Sequence, residues 1–258
     1  MINRVESSPL PMPPQEASPS PETAADRVAE NWRRVVDAVG DAAIAAGRDP
    51  SSITIVGVSK YVDAATTRLL VAAGCRDLGE SRPQSLWSKA AEIREPHLRW
   101  HLIGHLQRNK VRRTLPVVTL IHSIDSVRLA DAVHAEAEAS GRVVRGLVEV
   151  NISGDEAKHG FAPEAVLEAL EQISRLPHLQ IQGLMAMAAE RGDLAAAQRN
   201  FEDLRLLRDR LAERGLPQNI SLGELSMGMS GDFAEAIAAG ATIVRIGSRL
   251  FEGIDGSR

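Results

Sequence analysis

The sequence predicts an α/β protein: a single (β/α)8 barrel behind one N-terminal helix and a proline-rich tail. Three observations predict it. Short β-branched runs alternate with helix-like stretches, eight such runs fit within about 200 residues, and polar or small residues gather at the ends of the runs. Strand–helix alternation implies parallel pairing with right-handed crossovers. A doubly wound open sheet is the rival, but it is usually marked by a glycine-rich turn after the first strand. GVSKYVD does not match G-x-G-x-x-G.

Each element has its own warrant. Residues 1–22 hold Pro, Ser and Glu without hydrophobic period and are expected to be a disordered tail; the barrel domain is assigned to 23–258. From Thr23 to Gly47, Val28, Trp32, Val35, Val36, Val39 and Ala43 recur at three- and four-residue steps, which predicts one helix face. Strands are expected at ITIVGV (53–58), RDLG (76–79), RWHLIG (99–104), VTLIHS (118–123), VVRGLVEVN (143–151), LQIQGLM (179–185), ELSM (224–227) and TIVRIG (242–247). RDLG is weak on propensity and is carried by the spacing. Between them DAATTRLLVAAG, PQSLWSKAAEI, LQRNKVRRT, SVRLADAVHAEAEASG, APEAVLEALEQISRL, DLAAAQRNFEDLRLLRDRLAERG and DFAEAIAAG read as helices. In the sixth of these Phe201, Leu204, Leu207 and Leu211 form the inner face, and the charges are solvated.

Composition narrows the function. The 258 residues are 44% hydrophobic and 25% charged, with a net charge of -4, so no basic face for nucleic acid is expected. Cys75 stands alone, no signal-peptide core precedes residue 23, and no run approaches the roughly 20 apolar residues of a membrane span. The expected location is the cytoplasm.

In a barrel, chemistry gathers at the C-terminal strand ends. There stand Lys60, Glu80, His101, His105, Ser123 with Asp125, Asn151, Met185, the SMGMSGD turn and the RIGSR turn. Loops after the last two strands commonly cradle phosphate, and here Gly228, Gly231 and Gly247 let backbone approach an anion while Ser226, Ser230 and Ser248 offer hydroxyls. Either loop alone also reads as an ordinary capped turn. Arg245 points into the barrel mouth or to the helix layer, where it would pair with a buried carboxylate. Barrel closure makes Lys60 and Arg245 neighbours. A lysine in an apolar pocket has a lowered pKa, and its free amine attacks aldehydes to form a Schiff base. An aldehyde, a phosphate cradle and an arginine that never yields its proton describe pyridoxal 5'-phosphate (PLP) with its ring nitrogen unprotonated, a weak electron sink.

Other chemistries fit less well. GMSG followed by Asp232 is not the G-x-S-x-G elbow of a hydrolase. His101 and His105 straddle Gly104 rather than sharing a helix face, so no metal site is expected and His101 reads as a satisfied core or rim histidine. A metal-dependent hydrolase on the same barrel would lack a chromophore. Asn151 and Lys158 are expected to shape their loop.

VGVSK, RWHLIGHLQRNK, IHSID, VEVNIS with Lys158-His159-Gly160, GLMAM, LSMGMSGDF and VRIGSRLFEG together resemble the pyridoxal phosphate homeostasis protein family, over residues 25 to 253. The resemblance implies a barrel like the N-terminal domain of alanine racemase, with PLP on Lys60 as an internal aldimine. It also implies phosphate contacts from the turns carrying Ser226, Met227, Gly228, Ser230, Gly247 and Ser248, and Arg245 near the ring nitrogen. It leans to a monomer, with apo PLP-dependent enzymes as partners. The family's second strand usually ends GENYVQE; here GESRPQS puts Ser81 and Arg82 in place of the asparagine and the aromatic, and the proline-rich tail lies outside the pattern. A racemase of this fold needs a second base, usually a tyrosine from an added domain, and the only tyrosine is Tyr61 beside the lysine. The expectation is a non-catalytic PLP carrier and regulator; the alternative is a small PLP-dependent racemase.

Overall fold

Thr23 starts the first helix by a reciprocal cap. Its hydroxyl accepts from the Asp26 amide and the Asp26 carboxylate accepts from the Thr23 amide, both at 3.1 Å. In the computed structural model, which describes residues 23–155, 159–188 and 193–254, helix α1 spans Ala24–Ala45 and buries Val28, Val35, Val39 and Ala43 on one face. Asn31 is buried on that face too. Its amide donates to the carbonyls of Leu250 and Glu252 at 3.3 and 2.9 Å.

Eight strands follow: β1 (Thr54–Val58), β2 (Asp77–Glu80), β3 (Arg99–Leu102), β4 (Leu120–Ile124), β5 (Val144–Glu149), β6 (Leu179–Met185), β7 (Ile220–Met229) and β8 (Ile243–Ile246). Every neighbouring pair is parallel, and β1 pairs with both β2 and β8, so the sheet is closed and the open-sheet rival is excluded. Helices α2 (Ala64–Ala72), α3 (Pro83–Glu92), α4 (Val111–Thr114), α5 (Val127–Ala139), α6 (Val166–Ile173), α7 (Leu194–Ala212) and α8 (Phe233–Ala238) connect them. Among the described residues no helix is long and apolar enough to cross a membrane.

Apolar residues form two cores. The larger lies between strands and helices and includes Leu70, Leu86, Leu129 and the four predicted residues of α7. Each fully buried side chain of this kind contributes about 1.5–3 kcal/mol. The smaller, Val56, Leu120, Leu147, Met185 and Ile243, fills the lumen.

Two elements differ from expectation. β7 begins at Ile220, not Glu224, because ISLGEL alternates buried and less buried positions as a strand requires. LQRNKVRRT forms a 3-10 turn (Arg108–Lys110) and the single turn α4, with no side-chain cap at either start. The expectations for residues 1–22 and for Lys158 fall outside the described residues.

Candidate functional site at the barrel mouth

β1 stops at Val58, and the chain turns at once, with the Val62 amide donating to the Ser59 carbonyl at 3.1 Å. Lys60 sits on that turn. The buried setting expected for its amine is not found: Lys60 is exposed, and its Nζ lies 4.9 Å from the centroid of the Tyr61 ring. The residue before it is fixed instead. Ser59 is fully buried; its hydroxyl donates to Glu80 Oε1 at 2.7 Å, and Lys89 Nζ reaches both that oxygen and the Ser59 carbonyl at 2.6 Å. A buried ion pair between β2 and α3 therefore sets where Lys60 can stand.

Lys60 lines a cavity of about 640 Å³ whose wall also includes Val58, Tyr61, Ser81, Gly104, Met187 and Met229. Ser230, Gly231, Gly247, Ser248 and Arg245 also line it. The two small-residue turns are joined directly, because the Gly247 amide donates to Ser230 Oγ at 3.1 Å. Ser226, Met227 and Gly228 do not line this cavity. Ser226 and Met227 are fully buried beneath it. Gly228, at φ +89, would place a Cβ 2.5 Å from that of Ala236, so its bare backbone admits α8.

Arg245 points into the lumen and is 4% exposed. It donates to two neutral acceptors, Ser226 Oγ at 2.7 Å and the Ala186 carbonyl at 3.0 Å, not to a carboxylate. Burial lowers its pKa to about 10, which leaves it protonated at neutrality. Behind Ser226 runs a chain of contacts: His122 Nδ1 at 2.8 Å from Ser226 Oγ, His122 Nε2 at 2.9 Å from His101 Nδ1, and His101 Nε2 at 2.9 Å from Asp77 Oδ1. β4 and β7 are not adjacent, so the His122–Ser226 contact crosses the lumen.

Arginine only donates and carboxylate only accepts, so one proton arrangement satisfies every group with both imidazoles neutral. Arg245 donates to Ser226, Ser226 to His122, His122 to His101 and His101 to Asp77. Burial, then the charges of His101 and Arg245, push His122 well below the usual histidine range. Burial works to raise Asp77, but hydrogen bonds from His101 and Arg99 together outweigh it and hold the carboxylate below its ordinary range. Arg99 closes the chain with a bidentate grip on Asp77 at 2.6 and 2.5 Å.

Sequence reasoning placed Lys60, Arg245, Ser230, Gly247 and Ser248 at the mouth, and the structure brings them together. It missed Asp77 and His122, each unremarkable alone, and Glu149, taken as strand body. Glu149 is 5% exposed at the end of β5; burial, then the nearby Asp125 charge, raise its pKa to about 7. Asn151 shapes its loop as expected, donating to the Asp155 carbonyl at 2.8 Å.

Closed barrel, lysine on the first strand's loop and buried arginine on the last define an α/β barrel protein of the alanine racemase N-terminal type. The model of the alanine racemase N-terminal domain matches residues 24–254. The pyridoxal phosphate homeostasis protein of Pseudomonas aeruginosa is 39% identical over 224 residues, covering 87% of this chain and 94% of that one. Its counterpart from Aquifex aeolicus is 38% identical over 222 residues, 86% and 96% of the two chains. Among solved structures, PipY of Synechococcus elongatus with PLP bound superposes with a TM-score of 0.77 at 35% identity, covering 87% of this chain and 99% of that one. The chain belongs to the pyridoxal phosphate homeostasis protein family.

Proposed function

We propose that this chain is a cytoplasmic, monomeric carrier that holds PLP as a Schiff base on Lys60 and supplies or buffers it for apo-enzymes, without turning over amino acids. One observation carries the reading: Lys60, Arg245 and the two joined turns share one cavity. The donor set fits the cofactor. About 640 Å³ is within the usual range of ligand pockets, and its wall offers a primary amine, a guanidinium and small-residue turns with two hydroxyls. The related proteins of P. aeruginosa and A. aeolicus, named for PLP homeostasis, and PLP-bound PipY support it.

When bound, the cofactor would supply an aldehyde, and Lys60 would hold it through its amine. The chain's own residues do the rest. Ser230, Gly231, Gly247 and Ser248 would hold the phosphate, with Met227 and Gly228 shaping the turn beneath and Ser226 fixing Arg245. Arg245, a donor only, would meet a ring nitrogen that carries no proton. The exposure of Lys60 keeps its amine open to incoming aldehyde and to water, which suits loading and release better than a sealed pocket does.

The purified protein is expected to absorb at the violet edge of the visible, to be bleached by borohydride, and to lose the band in Lys60→Ala. A colourless protein that takes up no added PLP overturns the assignment. The racemase reading draws on Glu149, a buried acid at the mouth with a pKa of about 7. Steady conversion of a D- or L-amino acid, abolished in Lys60→Ala, would establish it instead.

A further inference from the structure

The rim above β3, β4 and β5 carries a cluster that cofactor binding does not use. His105 lies on the loop after β3, Asp125 directly after β4 and His159 on the loop after β5. One ligand atom from each lies within 4.8 Å of the other two. His105 Nδ1 is 2.7 Å from Asp125 Oδ2, and the His105 and His159 rings stack with centroids 4.4 Å apart and planes 16° from parallel.

All three are positioned by their neighbours. Leu106 is buried and anchors His105. Ser126 Oγ donates to Asp125 Oδ1 at 3.0 Å, which leaves Oδ2 to face His105. His159 precedes Gly160, whose φ of +108 and approach to the Glu149 carbonyl, 2.9 Å from any added Cβ, admit only glycine. Phe161 then pins the loop, its amide donating to Glu149 O at 2.8 Å and its carbonyl accepting from Asn151 at 2.9 Å.

Two imidazoles and one carboxylate with solvent access form the ligand set of a zinc-type ion that keeps water in its remaining positions. We propose that His105, Asp125 and His159 bind one divalent transition metal ion at the barrel rim.

The test uses the full-length, untagged protein, titrated with Zn²⁺ by calorimetry and with Co²⁺ by visible absorption. One ion per chain is expected, with ligand-field bands from a cobalt centre of low coordination number. His105→Ala and His159→Ala should each weaken binding by at least about tenfold. Both side chains are exposed, so circular dichroism should be unchanged. Lys60→Ala should keep the ion, which separates this site from metal chelated at the cofactor cavity. No saturable binding, unchanged binding in the double variant His105→Ala/His159→Ala, or loss of the ion in Lys60→Ala overturns the proposal.

Discussion

The barrel uses histidines and carboxylates twice, once in its lumen and once at its rim, and the two sets differ mainly in depth. His101 is 4% exposed while the His105 side chain, four residues on, is 43% exposed. In the lumen the polar atoms of the chain from Asp77 to Arg245 bond one another, and His122 and Ser226 are fully buried, so protein groups take the place of water there. That turns His101 and His122 into fixed positioning residues for Arg245. At the rim the same residue types keep solvent as an alternative partner. The lesson is that residue type does not settle whether a histidine holds structure or exchanges protons and ligands; access to water does.

His122→Ala should break the comparison most. It leaves His101 Nδ1 and the Ser226 hydroxyl proton unmet, while His101 keeps Asp77 and Ser226 keeps Arg245, at about 1–3 kcal/mol for each unmet group, and opens a cavity besides. Urea unfolding should show a loss of about 3 kcal/mol or more. Ser226→Ala is milder. It removes one acceptor from Arg245 and one donor from His122, with an expected loss of about 1–3 kcal/mol in the same assay.

A pH series separates two buried groups, His122 in the lumen and Glu149 at the end of β5, by sign. His122 is depressed in the fold, so its contribution is complete above about pH 6.5 and is lost as pH falls below that. Glu149 is raised to about 7, so its contribution runs the other way: stability is gained as pH falls through 7 toward 4.5 and lost as pH rises. The two contributions oppose each other in the parent, so between about pH 8 and 5 the urea midpoint, relative to the parent's, should shift upward on acidification in His122→Asn and downward in Glu149→Gln. The smallest effect belongs to His105→Ala, expected within about 0.5 kcal/mol of the parent because solvent replaces the lost partner. A large loss there would erase the distinction between lumen and rim.

The fold was legible because period and spacing recur. Even RDLG, weak on its own, was carried by its place between two helices, and it forms β2. Lys60 and Arg245 were legible as cations interrupting apolar strands. The depth of Lys60 was not, since the strand's last residue is fixed by pairing and the turn after Ser59 leaves no local signature. Nor was the lumen chain. Asp77, His101, His122 and Ser226 come from four strands, and only the register of a closed sheet brings them into contact. Asn31 escaped for a related reason: its partners, Leu250 and Glu252, lie at the far end of the chain.

That last contact has a consequence for biosynthesis. β1 and β8 share an edge, and Asn31 fastens α1 to the turn that follows β8. During translation the lysine emerges early and must wait for residues near 250 before its cavity has a wall. Under the proposed function, loading would thereby be confined to finished molecules, since a nascent polypeptide stalled on the ribosome before its eighth strand lacks the part of the cavity wall that Arg245, Gly247 and Ser248 supply.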